Sequence, residues 1–283
     1  MQGATLVYLG GRANLIPAGR LVARMREIRR RSVLLGAASL VALLPGCETA
    51  PVTGRRQLIL ISDAQALQLG ESAYAEIKSQ QKVSNDQTMN AMVQRAGKRI
   101  AAVSGQPNLP WEFTVFEDDS ANAFALPGGK VGVNTGLFKV AKNEHQLAAV
   151  MGHEVAHAIA RHSSERISQQ VLLQTGLTGA SAIAGPGGQA YVQIAAQAAT
   201  LGITLPFTRS QESEADEIGL LFMARAGYDP RQAVELWKNF DAAGGARPPE
   251  FLSTHPSPGN RIARLQELMP GAMEIYQGNP NKV

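Results

Sequence analysis

The segment His153-Glu154-Val155-Ala156-His157 constrains this chain more than any other part of it. Residues four apart fall on one face of an α-helix, so two imidazoles at this spacing can bind one metal ion. Glu154, beside them, can take a proton from water activated by that ion. Leu147, Val150, Met151, Val155 and Ile159 are apolar, and the helix is expected from Asn143 to about Ser164. That pattern predicts a buried helix, and two buried imidazoles need partners. Chance pairing on a surface helix is a poor explanation when the chain holds five histidines in 283 residues.

A catalytic zinc keeps three protein ligands and one open position, so one Zn2+ per chain is expected, with the third ligand on another element. His145 and His162 sit on the same helix, too far along it to complete a tetrahedron. They read as polar residues at its entry and exit, and a cationic His162 suits a helix C-terminus. A better source is Glu212-Ser213-Glu214-Ala215-Asp216-Glu217-Ile218-Gly219. Glu212, Asp216 and Gly219 share one helical face, while Glu214 and Glu217 point elsewhere and are expected to be solvated. On that spacing Glu212 is the favoured third ligand. Asp216 would accept an N–H from a ligand histidine and so fix its tautomer. Gly219 would let two helices approach closely.

The remaining pattern is mostly helical. Ser62 with Gln65 resembles a capping box and opens a helix through about Gln80. Helices are also expected over Asp86 to Val103, Gln211 to Ala226, Asp229-Pro230 to Ala242, and Asn260 to Leu268, with a loop from Gly244 to Pro258. Trp111 to Phe116 alternates as a strand. Asn122 to Leu126 and Lys130 to Asn134 flank Pro127-Gly128-Gly129 and predict a hairpin. The fold class is therefore α+β, mainly α-helical, with a small sheet. Residues 166–208 are rich in Ala, Gly, Gln and Leu and are broken at Gly185-Pro186-Gly187-Gly188. They read as a mobile flap; a membrane hairpin would place Gln169, Gln170, Gln174, Gln189, Gln193 and Gln197 in lipid at high cost.

The net charge of +4 belongs to the leader. Residues 1–46 hold seven arginines and one acid, Glu27, which leaves 27 − 7 = 20 basic and 23 − 1 = 22 acidic residues beyond them. No nucleic-acid partner is expected from that balance. Residues 1–46 read as a signal peptide, with Met25 as an alternative start. Arg26, Arg29, Arg30 and Arg31 form its basic region, and Val33 to Leu44 is an apolar run too short to span a bilayer comfortably. Arg30-Arg31 weakly resembles a twin-arginine motif, and the general secretory route is equally compatible. Leu44-Pro45-Gly46-Cys47 resembles a bacterial lipobox, although proline is unusual at its place. Cys47, the only cysteine, is the expected lipidation site, and residues 47–57 a lipid-anchored tether. The catalytic domain then spans 58–283.

Several segments together resemble the family of zinc metallopeptidases that includes the type I CAAX prenyl proteases, the HtpX membrane proteases and the periplasmic BepA-like and LoiP-like proteins. They are Val52-Thr53-Gly54-Arg55-Arg56-Gln57-Leu58, Asn122-Ala123-Phe124-Ala125-Leu126-Pro127-Gly128-Gly129, Gly152-His153-Glu154 through Arg161-His162, Arg209 with Glu212-Ser213-Glu214-Ala215-Asp216, and His255-Pro256 followed by Arg261-Ile262. The resemblance implies a zincin-like (gluzincin) fold with the sheet beside the active-site helix, and Glu212 as third ligand. It implies that His255 lies near the metal, as an oxyanion donor or as a gate on the open position, and that Arg261 supports the site. The absence of the prenyl proteases' multiple spans favours the soluble lipoprotein branch.

The expected activity is zinc-dependent endopeptidase cleavage of unfolded or misassembled envelope proteins, with Glu154 as general base. Substrate is expected to add a strand beside Asn122, Ala123, Phe124 and Ala125. The expected location is the periplasmic side of the bacterial cell envelope, lipid-anchored at the outer membrane, with its assembly machinery as a candidate partner. Alternatives are an assembly factor or holdase with a latent zinc site, and a zinc hydrolase of non-peptide bonds.

Overall fold

The computed structural model describes residues 4–9, 12–17, 47–175, 206–243, 250–256 and 259–283. Residues up to Cys47 and those from Glu48 onward form two separate units. In the first, β1 (Ala4–Leu9) and β2 (Arg12–Pro17) pair as an antiparallel hairpin, with Leu9 opposite Arg12. A further pair of short strands, β3 (Cys47–Thr49) and β4 (Arg56–Leu58), precedes the helical body.

Helix α1 (Asp63–Gln80) begins with the expected capping box, in which the Ser62 hydroxyl accepts from Gln65 N–H and the Gln65 side chain accepts from Ser62 N–H. Helix α2 (Gln87–Ala102) starts at Asp86, whose carboxylate accepts from Met89 N–H. The three-stranded sheet has the order β5 (Glu112–Phe116), β7 (Lys130–Asn134), β6 (Ala123–Leu126). The expected hairpin is β6 with β7, antiparallel, and its turn needs glycine because Gly128 and Gly129 both have φ of +79°. β5 adds in parallel on the far side of β7.

The helix expected from Asn143 to Ser164 is two helices, α3 (Glu144–Ile159) and α4 (His162–Thr175). Arg161 breaks it with a φ of +60°, a left-handed conformation that a helix interior does not tolerate. Arg161 pairs with Asp63 at 2.6 Å and also with Glu48. Of the segment expected as a flap, the first part is thus helical; residues 176–205 lie outside the described residues.

Helix α5 (Arg209–Arg225) opens with a capping box between Thr208 and Gln211, and α6 (Arg231–Ala243) follows. The loop expected after it holds a short helix, α7 (Glu250–Thr254). The last helix, α8 (Arg261–Gly278), runs ten residues past the expected end and contains Pro270. Beyond the proline, Ala272 is buried and Ile275 and Tyr276 pack against the core, so packing of the second half outweighs the local penalty of proline.

Helices α3 and α5 cross at glycine. A Cβ on Gly219 would meet the backbone of Gly152 and His153 at 2.9 Å, and one on Gly152 would meet Gly219 O at 2.8 Å. That close approach is what the sequence pattern expected of Gly219. The main core surrounds α3 with α2, β5, β7, α5, α6 and α8. A second cluster joins Tyr74 and Ile77 of α1 to Phe116, Phe124, Ile167 and Val171. Among the described residues, no helix is long and apolar enough to cross a membrane.

Candidate metal centre

Because α3 and α5 nearly touch, the polar faces of the two helices meet in the interior. One donor atom each from His153, His157, Glu212 and His255 lies within 4.8 Å of the others, and all four residues are buried. His153 Nε2 and His157 Nε2 are 3.0 Å apart. Glu212 reaches both, with an oxygen 3.4 Å from each imidazole nitrogen.

The roles of these nitrogens follow from what lies behind them. His153 Nδ1 faces Asp216 Oδ1 at 3.0 Å, and Asp216 in turn accepts from Arg261 Nε at 2.6 Å. A carboxylate held by an arginine only accepts, so Nδ1 carries the proton and Nε2 the lone pair. His162 Nε2 faces Glu214 Oε2 at 3.0 Å, and its Nδ1 lies 2.8 Å from His157 Nδ1. The same reasoning leaves a lone pair on His157 Nε2. Two lone pairs and a buried carboxylate therefore converge on one point, which is stable only around a cation. Two imidazoles and a carboxylate fit a divalent transition metal.

Without metal, a proton supplies the positive charge that the cluster needs, and metal binding would displace it. Burial alone would lower His153, but the charges and hydrogen bonds of Glu212 and Asp216 hold it at about 9. Burial pushes His157 well below the usual imidazole range, although Glu212 opposes it. Neighbours this close share one positive charge between them. Burial raises Glu212, yet His255 and His153 hold it well below the carboxylate range. Arg261 Nη2 donates to Glu212 at 2.5 Å, so this arginine joins Glu212 to Asp216 while its plane lies 3.8 Å over Trp237.

Glu154 is fully buried, and neither carboxylate oxygen has a hydrogen-bond partner. Burial pushes its carboxyl up, as a general base working near neutrality requires. His255 is clamped between Phe251, stacked at 4.2 Å, and Phe207 at 5.1 Å. Its Nδ1 lies 3.1 Å from Glu212 and 3.3 Å from His153 Nε2, and its Nε2 is 3.5 Å from Glu154. Phe207 also covers His157 at 3.9 Å, and the Arg166 guanidinium lies 3.6 Å over the Phe207 ring.

Asn122, Ala123, Phe124 and Ala125, the residues expected to receive substrate, are buried. Asn122 Nδ2 donates to Glu250 at 3.3 Å, and Ser163 Oγ donates to the Ala125 carbonyl at 3.3 Å. Cys47 lies outside the residues whose side chains are described.

Two expectations are corrected. Glu214 is buried, not solvated: it accepts from Thr53 Oγ1, Arg55 Nε and His162. Burial would raise its carboxyl, but these bonds hold it at about 2. His162 is fully buried and pushed down by that burial, so it is no cation at a helix end. The left-handed Arg161 turns His162 back under His157; on an unbroken helix, residues five apart point about 140° away from each other. His145 does read as expected, accepting from Asp229 N–H at 3.2 Å near the start of α3.

A family model, "Peptidase family M48", matches residues 87–269 of this chain. The chain belongs to peptidase family M48. It is 38% identical over 230 residues to the mitochondrial metalloendopeptidase OMA1 of Schizosaccharomyces pombe, covering 80% of this chain and 67% of that protein. The OMA1 of Saccharomyces cerevisiae is 31% identical over 278 residues, covering 87% and 79%. The β-barrel assembly-enhancing protease of Escherichia coli is 32% identical over 232 residues, covering 78% of this chain and 47% of that protein, so the chain spans about half of that relative. Membership in M48 makes the protein a metalloendopeptidase with protein substrates, and the cluster at His153, His157, Glu212 and His255 is where it can hold its metal.

Proposed function

We propose that the protein is a zinc-dependent endopeptidase of the bacterial cell envelope that cleaves unfolded or misassembled envelope proteins. The observation that carries the chemistry is the convergence of the His153 and His157 lone pairs with Glu212, beside the unpartnered carboxylate of Glu154. Zinc would be held by His153, His157 and Glu212, and when bound it would polarise the scissile carbonyl and acidify water. Glu154 takes a proton from the attacking water and returns it to the leaving amine. Asp216 and His162 keep the two imidazoles in the tautomers that present Nε2. Phe207, Phe251 and Trp237 wall the site against bulk water.

The envelope setting rests on the leader and on one relative. A basic cluster, an apolar run and Leu44-Pro45-Gly46-Cys47 occur in the order of a lipoprotein signal. The name of the E. coli relative points to β-barrel assembly, whereas the OMA1 relatives are mitochondrial and fit the same chemistry in another compartment. Lipidation at Cys47 and outer-membrane placement distinguish the first setting: Cys47→Ala should move the protein from the membrane to the soluble fraction.

A second reading has its own observation. His255 Nδ1 sits among the ligand atoms, where it would fill the metal's open position and hold a latent state suited to a holdase. Wild type and Glu154→Gln incubated with an unfolded envelope protein separate the readings. Cleavage by the wild type alone, at equal zinc content, supports the peptidase. Protection from aggregation without cleavage by either supports the holdase.

A further inference from the structure

The segment Thr53-Gly54-Arg55 is far from the metal ligands in sequence, yet it closes on a buried chain of hydrogen bonds that ends at one of them. Gly54, at φ +71°, makes a tight turn closed by Gly54 N–H to Ala50 O at 2.9 Å and Ala50 N–H to Arg55 O at 2.8 Å. From that turn Thr53 and Arg55 both donate to Glu214. The Arg55 fork also takes both oxygens of Glu165, at 3.1 and 2.7 Å, and Gln211 holds Glu165 from α5 at 2.8 Å. The turn is therefore fastened to α4 and α5 at once.

We propose that Arg55, Thr53, Glu214 and His162 form a positioning relay that presents the Nε2 lone pair of His157 to the metal. Each link fixes the next. Glu214, holding two donors from the turn, has only acceptors to offer, so His162 must donate to it from Nε2. That leaves His162 Nδ1 as an acceptor, 2.8 Å from His157 Nδ1, which must donate. His157 Nε2 then carries its lone pair 3.4 Å from Glu212 and 3.0 Å from His153 Nε2. The opposite tautomer of His157 would set lone pair against lone pair at the relay and aim a proton at the metal. The relay needs the break at Arg161, since His162 reaches His157 only because the chain turns there. It also needs the turn at residues 53–55, without which Glu214 would be a buried carboxylate with a single imidazole partner.

The inference rests on reading His157 as a metal ligand, and the test keeps the two apart. Full-length protein is stripped of metal and titrated with zinc against a chromophoric chelator, then loaded with cobalt for its visible spectrum. His162→Leu, which removes the acceptor, should fold and weaken zinc binding by roughly 10–100-fold, with shifted cobalt bands. His162→Asn places an amide oxygen near the former Nδ1 and should recover most of the affinity. Thr53→Val with Arg55→Met acts on a partly exposed turn and should weaken zinc by up to about tenfold, moving the same bands. Folded His162→Leu with wild-type affinity and spectrum overturns the relay. If that variant does not fold, unchanged affinity and spectrum in the turn variant overturn it alone. His157→Ala should bind no stoichiometric zinc; normal binding there would instead refute the ligand reading.

Discussion

His153 and His157 lie one helical turn apart on α3, and each is held from behind by a chain that ends in an arginine, but the two chains differ in length and charge. Behind His153 the support is short: Asp216, then Arg261, both on helices packed directly against the site. A full negative charge touches the imidazole. Behind His157 a neutral imidazole comes first, then Glu214, then the turn at Thr53 and Arg55. The first support acts on its ligand electrostatically: the charge of Glu212, with the bond and charge of Asp216, holds His153 at about 9 against its burial, whereas burial dominates His157. One ligand is secured by charge and the other by geometry, so each should fail in its own way.

Removing the ligands sets the upper limit for both supports. His153→Ala or His157→Ala should abolish stoichiometric zinc and all hydrolysis, and Glu212→Ala likewise; metal content after dialysis reads this directly. Glu154→Gln should retain metal and lose roughly 10²–10⁴-fold in turnover, since it removes the proton carrier and no ligand.

The charged support should break next. Arg261 neutralises Asp216 and Glu212 together, so Arg261→Gln leaves two buried carboxylates with one cation fewer, a loss of about 3–5 kcal/mol in denaturant stability of the metal-free protein. Added zinc should restore part of that stability. Asp216→Asn keeps an acceptor and loses the charge, so metal affinity should fall by roughly 10–100-fold. If it falls less than in His162→Leu, the ranking of the two supports is reversed.

The sequence made one support legible and hid the other for a physical reason. Glu212, Asp216 and Gly219 repeat at helical spacing, and His153 with His157 does the same, so the short support is a meeting of two periodic faces. Glu214 falls off that face and was expected in solvent; its partners come from a turn 159 and 161 residues away, which no periodicity records. His162 was hidden by assuming an unbroken helix, because nothing in Ala160-Arg161 signals a left-handed residue. Arg161-His162 and Thr53-Gly54-Arg55 both lay within the segments that carried the family resemblance, but without a role. Most helices, the hairpin and the glycine crossing were readable from the spacing of residues along the chain, but the break at Arg161, the short α7 and the second half of α8 were not. Phe207 and Phe251 around His255 were not, as they meet only through tertiary packing.

The smallest effect concerns acid. Glu214 sits at about 2 in the folded protein against an ordinary 4.5, so its bonds stabilise the fold fully above about pH 4.5 and lose that contribution as the pH falls toward 2. Glu214→Gln should be less stable than wild type at pH 7, and the gap should narrow between pH 4.5 and 2. A gap independent of pH would mean that Glu214 is not the charged member of the long support.

The most direct test of the centre as a whole is X-ray absorption at the zinc edge on the purified full-length protein, paired with metal analysis. The account predicts one zinc per chain, bound by two imidazole nitrogens and a carboxylate oxygen, with the same shell in His255→Ala; a third imidazole that disappears in His255→Ala would mark the latent state instead. A sub-stoichiometric metal, or a shell with fewer than two imidazoles in the wild type, would contradict it.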